Sequence, residues 1–190
     1  MNLKGCMAVW AVLAIGGYAL QSCNTAPVKE VWLDELGQDS CYVQDWGTVE
    51  INRSVVLTPL TVNGIVYERG LGAHSISRIL YDLKSEAVSI SGLAGADDNN
   101  RFAGKLQFKI VGDQKELWKS GVMKKGDPVK EFNVSLKGVD KVLLLVEECG
   151  DGIMYDHADW LNVKIETRGD VKPVRAWAKS IAKEKYILTP

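Results

Sequence analysis

The chain has 190 residues and carries 23 Lys and Arg against 24 Asp and Glu, a net charge of −1. That length suits one ordinary domain plus tails, and the apolar share is that of a globular protein. Near-neutral, well-mixed charge argues against a nucleic-acid partner, which needs a basic face or stripe, and against a polybasic membrane contact.

The first element is not part of the fold. Lys4 supplies a short positive start, and Met7 to Leu20 form an uncharged apolar run. The run is short for a membrane span and suits the hydrophobic region of a signal peptide. It ends in Leu20-Gln21-Ser22-Cys23, which resembles the lipobox of bacterial lipoproteins, although Gln21 is unusual at its position. In that reading residues 1–22 are removed, Cys23 is lipidated and residues 23–30 are a tether. The chain is then anchored to a membrane of the cell envelope, facing the periplasm or the cell surface. The plainer alternative is an ordinary secretory signal cut nearby. Cys6 leaves with the signal in either case. Cys41 and Cys149 remain in a compartment where disulfides persist, and they are read either as a disulfide pair or as two separate thiols.

From Val31 onward the pattern has period two. Asn63-Gly64 between two short apolar runs predicts a hairpin, because both turn residues need φ > 0. LQFKIV puts Leu106, Phe108 and Ile110 on one face, and EFNVSL puts Phe132, Val134 and Leu136 inward. KVLLLVEE is near-continuously apolar, as expected of a strand buried on both faces. Gly112-Asp113, Gly126-Asp127 and Gly150-Asp151 mark loops. Short strands at regular spacing predict an all-β antiparallel sandwich over residues 31–167. In the tail, 168–190, Pro173 is placed to open a short helix with Val174, Trp177, Ala178 and Ile181 on one face, either docking or leading to another domain.

Three stretches carry the most information: Tyr67-Glu68-Arg69-Gly70-Leu71-Gly72-Ala73-His74-Ser75; Gly95-Ala96-Asp97-Asp98-Asn99-Asn100; and Cys149-Gly150-Asp151-Gly152-Ile153-Met154-Tyr155-Asp156-His157-Ala158-Asp159-Trp160. With Val31-Trp32-Leu33-Asp34 and Trp46-Gly47, they resemble the NPCBM family of carbohydrate-binding modules over about Val31 to Glu166. The resemblance implies a jelly-roll, galactose-binding-like sandwich without catalysis. It also implies recognition of glycans, often galactose-containing, and attachment to a glycoside hydrolase such as an α-galactosidase. Asn99-Asn100 depart from the family, which often has an acidic residue after the paired aspartates. Cys41 and Cys149 are not part of its pattern.

A sugar site needs an aromatic face for the C–H face of the ring and planar polar groups for the hydroxyls. Trp46, in a polar loop, is a candidate platform or a cap on the open end of the sandwich. His74 and His157 are the two histidines of the chain, and a neutral imidazole both donates and accepts. Tyr155, Asp156 and Asp159 either bind hydroxyls or fix their loop. Trp160 begins a strand on the polar parity, so it is read as a partly exposed binding residue or as the start of a bulge. Gly70, Gly72, Gly150 and Gly152 read as turn residues with φ > 0. No cofactor is required. Asp97 and Asp98 with Asp151 are a candidate calcium set, against the plainer reading of a solvated turn. The expected partners are a carbohydrate, the membrane through the lipid anchor and a catalytic glycosidase domain. The rival functions are a glycoside hydrolase using two facing carboxylates, a metal-assisted hydrolase using the histidines, and an adhesion module that does not bind sugar.

Overall fold

The computed structural model describes residues 26–37, 41–102 and 104–175. Cys23, the apolar run before it, and Trp177, Ala178 and Ile181 of the expected tail helix lie outside the described residues.

Among the described residues fourteen strands follow one another. The first half holds β1 (Lys29–Trp32), a 3-10 turn at Leu33–Glu35, β2 (Tyr42–Gln44), β3 (Glu50–Ile51), β4 (Leu60–Val62), β5 (Ile65–Tyr67) and β6 (Gly70–His74). The second half holds β7 (Ser77–Asp82), β8 (Ala87–Ala96), β9 (Leu106–Gly112), β10 (Lys115–Met123), β11 (Lys130–Ser135), β12 (Lys141–Glu148), β13 (His157–Thr167) and β14 (Lys172–Pro173). One antiparallel sheet runs β11-β8-β13-β6-β3, with β1 also on β13. The other runs β10-β9-β12-β7-β14, with β2 also on β7. The sheets close over a core that includes Leu71, Ile79, Tyr81, Ile90, Leu106, Phe108, Ile110, Phe132, Leu136, Leu144 and Trp160. The architecture is the expected all-β sandwich.

The alternation reads through. Leu106, Phe108 and Ile110 face the core, as do Phe132 and Leu136, with Val134 packed beside them. Strand β12 lies between β9 and β7, and Val142 to Val146 are buried on both of its faces. Asn63 and Gly64 take φ of 49° and 76°, as a two-residue hairpin between β4 and β5 demands.

Three expectations are corrected. Pro173 does not open a helix: it pairs with Tyr81 at the sheet edge, where its missing N–H costs no ladder bond. No disulfide joins Cys41 and Cys149; Cys41 is packed in the main core and Cys149 is half-buried after β12. Gly70 and Gly72 are strand residues, not left-handed turn residues. A Cβ on Gly72 would run into the backbone of Arg53 and Ser54, and one on Gly70 into the Trp160 carbonyl. Together with Gly95, where a Cβ would meet Val62 at 2.7 Å, they leave the outer face of the first sheet bare. The β4–β5 hairpin lies flat on that face. There Leu60 and Val62 join Leu161 in a second, small core, with Tyr67, Leu93 and Val129 against it.

Candidate functional site

The site starts from a strand register. His74 ends β6, His157 begins β13, and the two are direct cross-strand partners. Leu71 and Ala73 on β6, like Ala158 and Trp160 on β13, belong to the core. Alternation therefore turns both histidines to the outer face, at the end of the sheet left open by the hairpin. Their ring centroids stand 5.6 Å apart.

Trp46 completes a three-ring wall. It lies 5.1 Å from His74 and 5.9 Å from His157, stacked on the latter at 5°. Gln44 fixes this arrangement with one amide: its Nε2 donates to the Trp46 carbonyl at 2.7 Å, and its Oε1 accepts from the His74 N–H at 3.0 Å. Trp46 keeps 49 % of its surface exposed, whereas His74 and His157 keep 4 % and 8 %. These rings line a cavity of about 590 Å³ with Val56, Asn99, Arg101, Ile153, Met154 and Tyr155. That volume falls within the usual range for a small-molecule site.

The imidazoles are held neutral. Burial lowers the pKa of His74, against smaller raising effects of the Ser75 carbonyl and Asp45. Burial also lowers that of His157, helped by His74 and opposed by Asp97. His74 Nδ1 lies 2.6 Å from the Ser75 carbonyl, which fixes the proton there and leaves Nε2 as an acceptor. The buried Nδ1 of His157 has no hydrogen-bond partner among the described residues. A buried polar atom without a partner is costly unless a ligand or water supplies one.

Asn100 explains how His157 is held. Its side chain is fully buried and bonds both backbone groups of His157: Nδ2 donates to the carbonyl at 3.0 Å, and Oδ1 accepts from the N–H at 2.9 Å. The amide thus stands in for one residue of a neighbouring strand. Sequence reasoning left Asn100 in a solvated turn and did not single out Arg101 or Met154. Phe102, exposed and set edge-on to Tyr155 at 5.0 Å, belongs to the same loop.

The structure brings Trp46, His74, Tyr155 and His157 to the cavity and places the other named residues elsewhere. Asp156 is fully buried outside the lining; its Oδ2 accepts from the Ser75 hydroxyl at 2.5 Å, and its Oδ1 lies against Gly104. Burial is the main cause that pushes its pKa up to about 6, with Ser75 opposing and Asp151 and Glu148 adding. Trp160 is no ligand-facing ring: it is wholly buried between the sheets, edge-on to Phe108 and Phe132 at 4.9 and 5.7 Å. The bulge alternative accounts for it, because the β13–β8 register shifts between Leu161 and Lys164, where Asn162 takes φ of 50°.

The candidate calcium set is not assembled either. Among the described residues no group of three or more His, Cys, Asp or Glu side chains is placed to hold a metal. Asp97 accepts from the N–H groups of Thr61 and Asn99, and Asp98 accepts from those of Asn63 and Gly64 at 3.1 and 2.7 Å. Both aspartates thereby tie down the hairpin, while Asp151 is exposed in another loop. Asp159 sits in register between Gly72 and Gly95, wholly buried. Burial, then the charge of Asp97 and a hydrogen bond to it, raise its pKa well above the usual carboxylate range.

Comparison with known proteins agrees with this fold. The model of the NPCBM/NEW2 domain matches residues 29–166. A candidate endo-alpha-N-acetylgalactosaminidase of Renibacterium salmoninarum is 29 % identical over 162 residues, covering 82 % of this chain and 11 % of that protein. The alpha-1,3-galactosidase B of Akkermansia muciniphila is 29 % identical over 130 residues, covering 66 % of this chain and 16 % of that enzyme. The chain thus spans only a small part of the curated relatives it matches. Among solved structures, the CBM51 module of Clostridium perfringens GH95, in complex with methyl-galactose, superposes with a TM-score of 0.65 at 25 % identity. That match covers 72 % of this chain and 99 % of the module. Matched by the family's model over most of its length, the chain belongs to the NPCBM/NEW2 domain family.

Proposed function

We propose that the chain is a carbohydrate-binding module that takes a galactose-type sugar in the Trp46–His74–His157 cavity and performs no catalysis. The observation that carries the reading is the three-ring wall. A half-exposed indole offers its face to the C–H side of a sugar ring, and two neutral imidazoles offer nitrogen atoms to its hydroxyls. The methyl-galactose complex of the similar Clostridium perfringens module supports the sugar class. Non-catalysis rests on the acids: Asp156 and Asp159 are fully buried and stand outside the cavity lining, and among the described residues no carboxylate lines it. The module then serves to hold a glycoside hydrolase near its glycan, and weak contacts suffice because linkage raises effective concentration. Lipidation of Cys23, with residence in the cell envelope, completes the proposal; mass spectrometry of the mature protein is expected to show the acylated cysteine.

Isothermal titration of the purified chain with methyl galactoside, and with methyl glucoside as control, tests the reading. Saturable binding of the galactoside, lost in Trp46→Ala, is the expected result. Binding of neither sugar, or binding untouched by Trp46→Ala, sinks the assignment. Turnover of a glycoside abolished by a single carboxylate substitution overturns non-catalysis.

A further inference from the structure

The cavity lining includes more than the three rings. Arg101, Met154 and Tyr155 belong to it as well, with Phe102 edge-on to Tyr155. Since both imidazoles are neutral, Arg101 is the one charged side chain in the lining. It is exposed and has no ion-pair partner among the described residues. Several other cations of the domain are matched, among them Arg69 with Asp34 and Glu35, Lys109 with Glu116 and Glu147, and Lys164 with Glu30; of the unmatched ones, Arg101 is the one that lines the cavity. Two acids beside the cavity loops are tied up elsewhere. Asp97 is fully buried and spends its oxygens on Thr61 and Asn99, and Asp156 is buried against Ser75 and Gly104. An unspent guanidinium fork in a concave site matches two oxygens of an oxyanion. Beside it the Tyr155–Phe102 pair gives a second ring surface, and Met154, 74 % exposed, gives an adaptable apolar one.

Resting on the carbohydrate reading above, we propose that Arg101, with the Tyr155–Phe102 pair and Met154, forms a second subsite. It takes an anionic group, a sulfate ester or a carboxylate, carried by the glycan whose neutral ring lies against Trp46, His74 and His157. The module thereby selects acidic over neutral galactosides.

The test titrates the full chain with methyl galactoside, its 3-sulfate, its 6-sulfate and a 3-sialylated galactoside, at low and high salt. At least one anionic ligand is expected to bind about tenfold tighter than the neutral one, as one charge-assisted contact supplies. The sulfated and sialylated arms tell which anion is taken. The advantage shrinks as salt rises. Arg101→Gln abolishes the advantage, so that anionic and neutral galactosides then bind alike. Anionic ligands that bind no tighter than the neutral one overturn the proposal and leave the carbohydrate reading intact. So does an advantage that survives Arg101→Gln, or an equal loss for neutral and anionic ligands. If neither neutral nor anionic sugar binds, the carbohydrate reading fails and the second subsite with it.

Discussion

Two groups of aromatic rings in the domain do opposite work. Trp160, Phe108 and Phe132 meet edge-on at 4.9 and 5.7 Å in the middle of the sandwich. Trp46, His74 and His157 meet at 5.1 to 5.9 Å at the open end of the first sheet. Spacing is alike; access to water is not, since Trp160 is wholly buried and Trp46 is 49 % exposed. A buried ring contributes its hydrophobic transfer energy to the fold. A ring held half-exposed by Gln44 leaves that energy to be gained when a ligand covers it. The difference teaches that which aromatic binds and which folds is set by the face of the strand or loop it occupies, not by residue type.

The largest expected effect breaks the buried cluster. Trp160→Ala removes a packed ring and costs about 3–5 kcal/mol of stability, enough to leave much of a marginal domain unfolded; urea denaturation reads it. A loss below about 1 kcal/mol contradicts the core assignment. Next, Trp46→Ala is expected to cost about 2 kcal/mol of sugar affinity, as an interface anchor does, yet to leave stability within about 0.5 kcal/mol, as a surface change does. A variant that melts early and binds normally makes Trp46 a cap instead. Smaller still, His157→Ala removes one or two hydrogen bonds to the sugar, each about 0.5–1.5 kcal/mol. Because the His157 ring has no hydrogen bond within the described residues, stability changes little. Calorimetry and thermal melting on this one variant separate the two roles.

The smallest effect is a slope with pH. Asp156 holds its proton up to about pH 6 in the fold against an ordinary 3.8. Its contribution to stability is therefore full below 3.8 and is lost as pH rises through about 6. His74 and His157 have pKa values below the ordinary 6.5, so theirs is present above 6.5 and lost as pH falls. Asp156→Asn keeps an acceptor for the Ser75 hydroxyl but has nothing to ionise. Its stability is expected to rise more steeply than that of the native chain between pH 4 and 6.5, measured as urea midpoints. Parallel profiles would show that Asp156 is not the titrating group.

What lay open in the sequence was local or periodic. Asn63-Gly64 announced its hairpin because the φ requirement concerns two adjacent residues. Leu106, Phe108 and Ile110 announced an inner face because strand alternation is a property of one segment. Trp46, His74, Tyr155 and His157 were legible as candidates because the motifs that hold them carry the family resemblance. Four matters awaited the tertiary structure. Trp160 reads as outward on strict alternation, and only its pairing with β8 reveals the bulge that turns it inward. Gly70 and Gly72 look like turns until the Trp160 carbonyl is seen against Gly70 and the chain at Arg53 and Ser54 crossing above Gly72. Asp97 and Asp98 look like metal ligands until the hairpin's N–H groups are found to occupy them. Asn100 looks like a turn residue until its amide is found clamping His157, which lies 57 residues away. Sequence by itself determined the strands around Leu106, Phe132 and Leu144 and the Asn63-Gly64 turn, because these depend on neighbours along the chain. The side-chain partners of the site were decided by the folded sandwich, because register and layer packing bring together residues whose separation along the chain holds no trace of that contact.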